Sequence, residues 1–384
     1  MIYYNLFISA VLFVLFIIML WNLYILRRRK YSAIKESGLP FVSVLVPARN
    51  EEINIRGVLV SLLEQDYPAF EVIVLNDSSD DKTGEITEKL RNESPALRVI
   101  DGKPLESGWT GKCFACDQLY RASKGEIIIF TDADTRHNKN SIRDSVTMAL
   151  NHNADMLTLF PKMTMVSAAE KIIMPMLFFT ISLLLPFYFV GKKGFTKFSI
   201  GIGPFMLFKK NAYEKIGGHA SVKNAIVEDV WLARRIKELG LSLVAADGAA
   251  LLSVRMYRNF EDIWNGFSKN IFAGFQFSVI MLFTINFLYT VLFFIPFVLL
   301  IIELFLNNGP KNNLYLLIFQ VSLLWLARTI LSFKFKLGFY STLLHPLGAI
   351  SVPVIAVNSW RWIASGKGAK WKGRTYTPKG EKIN

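Results

Sequence analysis

Cysteine is almost absent from this chain, which has only Cys113 and Cys116 among its 384 residues. Their C-x-x-C spacing lacks the second pair that a structural zinc site requires, and it lacks the thioredoxin-like surroundings that a redox site requires. The same scarcity excludes a disulfide framework. We therefore interpret the pair as two small apolar residues on one helix.

Acidic residues are also in the minority, because 30 Asp and Glu face 44 Lys and Arg and leave a formal net charge of +14. An excess of this size is typical of proteins that bind nucleic acid or an anionic membrane surface. The basic residues cluster beside apolar runs, in "RRRK" at 27–30 and in "GKGAKWKGR" at 366–374. This placement indicates topology signals and contacts with lipid headgroups. We expect membrane lipids as partners and no nucleic acid.

No basic stretch precedes the first apolar run, residues 2–26, so this run does not have the pattern of a secretory signal peptide. It is long enough to cross a bilayer, and the apolar content of 52% is high for a soluble protein. Because the basic cluster follows the run, the positive-inside rule places residue 30 onward in the cytoplasm. The sequence thus predicts a transmembrane anchor at 1–30 in a multi-pass protein of the cell membrane.

Strands and helices alternate between residues 41 and 136, beginning with the continuous apolar strand "FVSVLVPA". Further strands are predicted at "FEVIVLND", "LRVIDG" and "EIIIFTDAD", with helices between them. This order predicts an α/β domain at 38–260 with a mostly parallel, Rossmann-like sheet. Such sheets bind ligands at the carboxyl ends of their strands. Polar residues follow three of the predicted strands: Asn50, Glu51, Asn76, Asp77, Asp132 and Asp134.

The acid pair Asp132 and Asp134 follows the apolar strand "IIIF" with one residue between the two acids. Two carboxylates at a strand end are suited to a hard divalent cation such as Mg²⁺ or Mn²⁺, which keeps coordination positions for substrate phosphates. The alternative is a transition from strand to turn in which an Asp caps the next element. On these residues alone, both interpretations stay open.

The other two strand ends are ambiguous in the same way. Asp77 is placed to accept hydrogen bonds from a nucleobase or a ribose, whereas Ser79 or Asp80 beside it has the pattern of a helix N-cap. In "PARNEE", Pro47 is suited to packing against a base and Glu51 to reaching a ribose. The alternative for this second stretch is an ordinary helix start.

Four more apolar segments follow, at 172–190, 271–305, 313–333 and 339–360. A single crossing at the first would separate everything after it from Asp132 across the membrane, and two prolines interrupt it, so we predict an interfacial or re-entrant helix. The second exceeds one bilayer width and fits an interfacial helix that continues into a span. Three crossings within 261–362 would place the basic tail 363–384 outside, against the positive-inside rule. Either the last segment is re-entrant or one stretch is counted wrongly.

Four blocks of the sequence carry a resemblance to a known family: "VSVLVPARNEE", "VIVLNDSSDDKTGE", "TDAD" and "GHASVKNAIVEDVWLARRIKELG". In this order they resemble the signature of family 2 glycosyltransferases with a GT-A fold, over roughly 41–270. The stretch "GWTGKCFACDQLYRASKGE", the apolar ends and the closing "WKGRTYTP" are similar to membrane-bound lipid glucosyltransferases. Those include the glycosyltransferase of the staphylococcal carotenoid pathway and the ceramide glucosyltransferases.

The resemblance implies roles on the donor side of the site. Ala48 and Glu51 would contact the uridine, and Asp77 would hold the uracil. Lys112 would approach the donor near its phosphates, and Asp132 would face the ribose or the sugar. These roles come from the family pattern and not from the spacing of the residues.

The resemblance also implies the residues of the reaction itself. Asp134 would bind the Mg²⁺ or Mn²⁺ ion that bridges the diphosphate, where the ion neutralises charge on the leaving group. Asp229 would be the general base that deprotonates the acceptor oxygen. Without the family pattern, we would interpret Asp229 as an exposed acidic residue on a helix that pairs with Arg234 or Lys237.

The Q-x-x-R-W motif of processive polysaccharide synthases is absent, which favours an enzyme that makes a single transfer. The corresponding stretch, "VRMYRNFEDIWNGFSKN", either lines the diphosphate and acceptor or forms an interfacial helix with snorkelling side chains. Gly203 and Pro204 are candidates for the acceptor side, with an ordinary turn as the alternative. The further candidates for acceptor or diphosphate contacts are Glu228, Arg255, Arg258, Trp264 and Lys269.

Taken together, the resemblance implies an inverting glycosyltransferase with a cytoplasmic catalytic domain. Its donor would be a UDP-sugar, with glucose as the first choice of hexose, and its acceptor a lipid such as a carotenoid, a sterol or hopanoid, a ceramide or a glycerolipid. One alternative is a polysaccharide synthase that extends a glycan. The other is a non-catalytic polytopic membrane protein, which predicts loss of strand-end acids, and all of them are present.

Overall fold

The computed structural model describes residues 1–28, 32, 34–306, 311–366, 368–371, 373–377 and 380–382. Four members of the two predicted basic clusters lie outside the described residues: Arg29, Lys30, Lys367 and Lys372. The chain divides into two compact units. The first unit combines Met1–Tyr24, Met165–Pro186 and Tyr257–Ala369. The second unit combines Ile25–Thr164, Phe187–Met256 and Lys370–Asn384.

The described residues form 13 strands and 16 α-helices. The strands are β1 Val42–Ala48, β2 Phe70–Asn76, β3 Leu97–Asp101, β4 Ile127–Phe130, β5 Thr135–His137, β6 Met156–Phe160, β7 Lys162–Met163, β8 Met206–Lys209, β9 Leu243–Asp247, β10 Leu252–Val254, β11 Ala369–Trp371, β12 Arg374–Thr377 and β13 Gly380–Lys382. The helices are α1 Ile2–Arg28, α2 Ile55–Leu63, α3 Thr83–Glu93, α4 Gly111–Ala122, α5 Ser141–Asn151, α6 Ala168–Ile173, α7 Pro175–Leu184, α8 Phe187–Val190, α9 Lys210–Lys215, α10 Glu228–Glu238, α11 Phe260–Gly274, α12 Val279–Phe293, α13 Ile295–Leu306, α14 Lys311–Phe335, α15 Tyr340–Leu343 and α16 His345–Ala364.

The second unit is built on a seven-stranded sheet with the order β3-β2-β1-β4-β8-β6-β9. Its strands run parallel except at β8, which is antiparallel to both of its neighbours. Val42, Val44 and Val46 of β1 are fully buried, as expected for a central strand that is covered on both faces. The predicted α/β fold with a mostly parallel sheet is confirmed.

The carboxyl ends of β1, β2 and β4 lie at one edge of this sheet. Ala48 pairs with Asn76 across β1 and β2, and Leu45 pairs with Phe130 across β1 and β4. The Asp77 N–H donates to the Ala48 carbonyl at 2.8 Å, directly past the end of β2. The prediction that the polar residues after these strands share one edge is therefore confirmed.

A second sheet, with the order β5-β10-β7, begins directly after the predicted acid pair. The Thr135 N–H donates to the Asp132 carbonyl at 3.1 Å, so Asp132 and Asp134 lie in a tight turn between β4 and β5. His137 at the end of β5 is buried and hydrogen-bonded to Thr131 Oγ1 at 2.9 Å. Burial lowers the pKa of His137 to about 3, so this imidazole is neutral and holds the turn in place.

Three helices in the described part of the chain are long and apolar enough to cross a membrane, namely α14 and α16 of the first unit and α1, most of which belongs to that unit. The shorter pair α11 and α12 passes the same test jointly but is bent by 117°. Gln320 of α14 donates to the Asn5 carbonyl at 2.9 Å and to Ser9 Oγ at 3.1 Å, both on α1. Polar contacts of this kind stabilise helix pairs in apolar surroundings.

Helix α14 also contains Arg328, a fully buried guanidinium. It donates to the Pro175 carbonyl at 3.1 Å and to the Ser341 carbonyl at 3.0 Å. A buried charge is tolerated only when its donors find partners. Arg328 therefore joins the starts of α7 and α15 to α14.

The apolar segments are divided into several helices. The segment 172–190 contains the end of α6, then α7 and α8, with breaks at Met174 and at Leu185 and Pro186, and its interfacial or re-entrant character stays a prediction. The segment 271–305 contains the end of α11, then α12 and most of α13, and the interfacial helix that continues into a span stays a prediction. Most of the last apolar segment belongs to a single helix, α16, even though this helix contains Pro353. The number of crossings and their sidedness stay predictions.

The two units also differ from the predicted domains. The chain around 172–186, which falls inside the predicted domain 38–260, groups with the apolar helices of the first unit. The predicted tail 363–384 is divided, because Lys370–Asn384 belongs to the second unit. The strands β11 to β13 form a small sheet there, so this part of the tail is an element of the α/β unit.

Candidate active site

Asp77 lies in a turn that fixes the direction of its side chain. Arg49 Nη1 donates to the carbonyls of Asp77 at 2.7 Å and Ser78 at 2.9 Å. Ser78 has a φ of 49°, in the left-handed region, so the chain turns sharply after Asp77. The Asp77 side chain is only 11% exposed. Its carboxylate is thus nearly buried beside the end of β1, which is where the resemblance places the uracil.

The loops after β1 and β2 are joined by hydrogen bonds from backbone N–H groups to side chains. The Asn50 N–H donates to Ser79 Oγ at 3.0 Å, and the Glu51 N–H donates to Thr83 Oγ1 at 2.7 Å. The predicted N-cap at Ser79 or Asp80 is wrong, because α3 begins only at Thr83. The Ser79 side chain accepts a bond from the neighbouring loop instead of capping the helix.

The end of β1 supplies the other residues predicted to contact the nucleoside. Pro47 is part of β1 and pairs with Leu75 of β2. Glu51 Oε2 accepts from Asn54 Nδ2 at 2.8 Å just before α2, so the alternative of a helix start is realised at this position. The contacts of Pro47, Ala48 and Glu51 with a base and ribose stay predictions.

Lys112 holds two acids together from the first turn of α4. Thr110 caps this helix by accepting from the Cys113 N–H. Lys112 Nζ lies 2.7 Å from Asp132 Oδ1 and 2.9 Å from Glu228 Oε1. Burial alone would lower the pKa of Lys112, but these two carboxylates outweigh it and raise the pKa well above its ordinary value. The ammonium group therefore stays charged at physiological pH.

Asp229, the predicted general base, is positioned by two backbone N–H groups. The Gly203 N–H donates to Asp229 Oδ2 at 3.1 Å, and the Val230 N–H donates to Asp229 Oδ1 at 2.8 Å. Burial and then the negative charge of Glu228 raise the pKa of Asp229 to about 7, while the positive charge of Lys112 opposes the shift. A carboxyl group with a pKa near neutrality is well matched to accepting a proton at physiological pH.

Gly203 lies among these charged groups. A Cβ added to it would lie 3.1 Å from Asp132 Oδ2, 3.2 Å from Lys112 Nζ and 3.6 Å from Asp229 Oδ2. The structure thus gathers the predicted base, the donor-side lysine and the first acid of the pair around one α-carbon. Glycine leaves open the space that a methyl group would fill.

The backbone at 201–204 is held close to this cluster. The Pro204 carbonyl accepts from Thr131 Oγ1 at 2.8 Å, which ties it to the residue just before Asp132. A Cβ on Gly201 would collide with the Asp229 carbonyl, so only glycine permits this approach. Pro204 therefore positions the segment, and the prediction that it contacts the acceptor stays open.

Asp132 and Asp134 supply the hard oxygen donors that Mg²⁺ or Mn²⁺ prefers. Among the described residues, no group of three or more His, Cys, Asp or Glu side chains could hold a metal by itself. Such ions are commonly held by one or two carboxylates and completed by substrate phosphates and water. The donor set therefore fits an ion that binds together with a diphosphate. Lys112 already places one cation against Asp132.

Arg374 belongs to this site, although the sequence places it in a basic cluster that indicates contacts with lipid headgroups. Its Nη1 lies 2.7 Å from Asp77 Oδ2 and its Nη2 lies 2.9 Å from Asp77 Oδ1. Arg374 is also part of the block "WKGRTYTP", which carries a resemblance but no assigned function. A contact across 297 positions has no local pattern that could have revealed it.

Comparisons with known proteins identify a family for part of this chain. Residues 43–217 match the family described as "Glycosyl transferase family 2". These residues are a family 2 glycosyltransferase domain. The predictions of the enzyme class and of the GT-A fold are confirmed, and this glycosyltransferase transfers a sugar from a nucleotide sugar.

Relatives of this glycosyltransferase differ in how much of the chain they match. The "Probable glycosyltransferase YdaM" of Bacillus subtilis is 31% identical over 207 residues, which cover 53% of this chain and only 48% of the relative. The 4,4'-diaponeurosporenoate glycosyltransferase of Staphylococcus haemolyticus is 25% identical over 352 residues, 88% of this chain and 89% of the relative. A solved structure, the mannosyltransferase PcManGT from Pyrobaculum calidifontis with GDP-Man and Mn²⁺, aligns with a TM-score of 0.56. At 15% identity over 94% of this chain and 98% of that one, it shows a shared fold.

The remaining predicted contacts of this glycosyltransferase fall in a different part of the chain. Arg255 directly follows β10 in the second unit, whereas Arg258 lies just before α11 in the first unit. Trp264 and Lys269 are on α11 itself. Their predicted contacts with diphosphate and acceptor stay predictions.

The two cysteines of this glycosyltransferase are buried and free on α4. Cys113 Sγ donates to the Val222 carbonyl at 3.4 Å, and burial raises the pKa of both thiols. His219 is buried against Tyr213, with its Nδ1 2.7 Å from the Tyr213 hydroxyl oxygen. Burial, assisted by the charge of Lys112, lowers the pKa of His219 to about 3. These groups are packing elements behind the site.

Proposed function

We propose that this enzyme transfers a hexose, with glucose as the first choice, from a UDP-sugar to a lipid acceptor at the cytoplasmic face of the cell membrane. The observation that carries the proposal is the cluster around Gly203. There a permanently charged lysine, an acid of the strand-end pair and a carboxyl group with a pKa of about 7 surround one α-carbon. A cation for a leaving diphosphate and a base for an acceptor are the two functions that glycosyl transfer from a nucleotide sugar needs.

The donor would bind along the edge formed by β1, β2 and β4. Asp77 would accept from the base, with Pro47 and Ala48 packed beside it and Glu51 directed at the ribose. Lys112 would meet the diphosphate, and Asp132 would face the sugar. Support comes from Glu51, Asp77 and Asp132, which follow the ends of β1, β2 and β4, where the binding rule for parallel sheets places ligands.

Asp134 would hold the Mg²⁺ or Mn²⁺ ion, with Asp132 in the same turn. When bound, the ion supplies positive charge to the departing diphosphate. The mannosyltransferase with the shared fold was solved with Mn²⁺, which supports a divalent cation here without deciding between the two metals.

Asp229 would take the proton from the acceptor hydroxyl as the oxygen attacks the anomeric carbon. In this step the bond from the acceptor oxygen to the anomeric carbon forms and the bond from the anomeric carbon to the phosphate oxygen breaks. Attack from the side opposite to the diphosphate inverts the configuration. Lys112 stabilises the charge that develops on the leaving group, and the N–H groups of Gly203 and Val230 keep the Asp229 carboxylate aimed.

A lipid acceptor is supported by two independent features. Within the residues that the structure describes, three helices are long and apolar enough to cross a membrane. Its staphylococcal relative, aligned over 88% of this chain, is named for transfer to diaponeurosporenoate. A growing polysaccharide is the competing acceptor, and the absence of a Q-x-x-R-W motif speaks against it.

The test is incubation of membranes that contain the enzyme with radiolabelled UDP-glucose, UDP-galactose or UDP-N-acetylglucosamine, each with Mg²⁺ or Mn²⁺. We expect label in the organic extract, most of it from UDP-glucose. Asp134→Ala and Asp229→Ala should each abolish transfer, whereas Asp66→Ala, which removes a carboxylate with a 56% exposed side chain, should retain it. Label in a polymer and none in lipid would refute the acceptor. Transfer by both active-site variants would refute the mechanism.

A further inference from the structure

The C-terminal tail contributes an arginine to the base end of the donor site. Arg374 begins β12, and both of its terminal nitrogens contact the two oxygens of Asp77, at 2.7 and 2.9 Å. The Arg374 side chain is 14% exposed and that of Asp77 is 11% exposed. A bidentate, charge-assisted pair that is mostly shielded from water is strong and geometrically specific.

Gly111 makes room for this pair. A Cβ on Gly111 would collide with Arg374 Nη1 and would lie 3.1 Å from Asp77 Oδ2. The guanidinium therefore rests against the α-carbon of the first residue of α4, one position before Lys112. Any other residue at 111 would displace Arg374 from Asp77.

Arg374 leaves part of the Asp77 carboxylate available to a ligand. A carboxylate has about four lone-pair positions, and a guanidinium fork uses one on each oxygen. The Asp77 backbone is held by Ala48 and Arg49, and the fork of Arg374 on both oxygens fixes the orientation of the carboxylate itself. The remaining lone pairs thus point in a fixed direction and only accept hydrogen bonds.

We propose that Arg374 is a positioning residue that determines base specificity through Asp77. This inference rests on the proposed function, in which Asp77 holds the base. A fixed carboxylate that only accepts bonds selects a base whose ring nitrogen carries a hydrogen, as uracil N3 does. Cytosine presents a bare, accepting N3 at the same position and is rejected by repulsion between two acceptors. By contacting both oxygens of Asp77, Arg374 holds the carboxylate in this orientation and thereby increases the preference for uracil over cytosine.

The experiment measures the affinities of the full-length enzyme for UDP and CDP by calorimetry in detergent with Mn²⁺. We expect Arg374→Ala to weaken UDP binding about tenfold while CDP binding changes little, so that the preference for UDP narrows by the same factor. Arg374→Lys, which keeps the charge but not the fork, should fall between Arg374→Ala and the wild type. The control Arg361→Ala, at an exposed arginine near the end of α16, should leave both affinities unchanged.

Three outcomes would overturn the inference. Tighter UDP binding by Arg374→Ala would mean that the guanidinium occupies the place of the base. An equal loss of UDP and CDP affinity would mean a merely structural role, and unchanged affinities would mean none. If Arg374→Ala fails to fold, the UDP to CDP ratio of Arg374→Lys decides. Asp77→Ala separates this inference from the proposed function: UDP affinity retained by that variant refutes the base site itself, whereas UDP affinity lost there but not in Arg374→Ala refutes only the role of Arg374.

Discussion

Replacement of Glu228 by Gln should shift the acidic limb of the pH profile of this glycosyltransferase to lower pH. The proposed base, Asp229, has a pKa of about 7, to which burial contributes most and Glu228 next. The other charged groups that act on it are Asp132, which also raises the pKa, and Lys112, which lowers it. Removal of one negative charge therefore makes the ionised form of Asp229 easier to reach.

The size of the shift follows from these contributions. A neighbouring like charge typically moves a carboxyl pKa by about one unit, which corresponds to ~1.4 kcal/mol. A base must be deprotonated to act, so kcat/KM falls tenfold for each pH unit below the pKa of Asp229. At pH 6 the wild type should keep about a tenth of its plateau rate, and Glu228→Gln should keep about half of its own. Gln retains an oxygen that can accept from Lys112, so the lysine keeps both contacts.

The assay records kcat/KM for the nucleotide-sugar donor between about pH 5 and 9 at fixed metal concentration. Glu238→Gln is the matched control. Glu238 lies at the other end of the same helix, α10, and its Oε1 is 3.0 Å from Arg234 Nε. We expect the limb of the control to coincide with that of the wild type. A limb that stays in place in Glu228→Gln, or that moves to higher pH, would refute the assignment of the limb to Asp229.

Three further predictions concern single positions. Gly203→Ala should lower kcat at least tenfold in the transfer assay with little change in Tm, because its Cβ would enter a space bounded by charged atoms at 3.1 to 3.6 Å. Asp229→Asn should raise Tm at pH 8 by a few degrees and not at pH 4. Because the pKa of Asp229 is higher in the folded protein than in the unfolded chain, its ionisation lowers the stability of the wild type as the pH rises toward about 7. Thermal unfolding of both proteins at pH 4 and pH 8 measures this difference. Arg328→Met should destabilise the first unit by about 2 kcal/mol or more in detergent, because the buried carbonyls of Pro175 and Ser341 lose their donor.

The edge of the sheet could be predicted from the sequence because strands leave a local signal. Apolar runs that end in polar side chains predicted β1 and β2 to within one residue and the start of β4, although β4 ends at Phe130 and the predicted strand continued to Asp134. Parallel order then requires their carboxyl ends to meet, as the pairing of Ala48 with Asn76 confirms. That step depends only on the alternation of strands with helices, and each strand or helix can be predicted from its own local sequence.

The contacts that complete the site could not be predicted in this way, because they join distant segments. Ser79 has the pattern of an N-cap, and it accepts from the Asn50 N–H instead, so competition from a neighbouring loop reverses a local preference. Lys112 and Glu228 form an ion pair at 2.9 Å, although the local sequence around neither residue predicts this contact. Which of several local hydrogen-bonding options is realised depends on what tertiary structure brings within reach.

The basic tail shows that a cluster of positive charge in the sequence does not establish which partner each of its residues contacts. The sequence places Arg374 in a cluster beside an apolar run, which indicates lipid headgroups. An arginine serves a lipid surface only if its guanidinium is open to solvent, and Arg374 is 14% exposed with both terminal nitrogens on one carboxylate. Release of this pair to meet a lipid phosphate would leave Asp77 as a nearly buried, unpaired charge, which is costly. Arg374 is therefore part of the α/β unit, and any attraction of the tail to the membrane must come from its other basic residues.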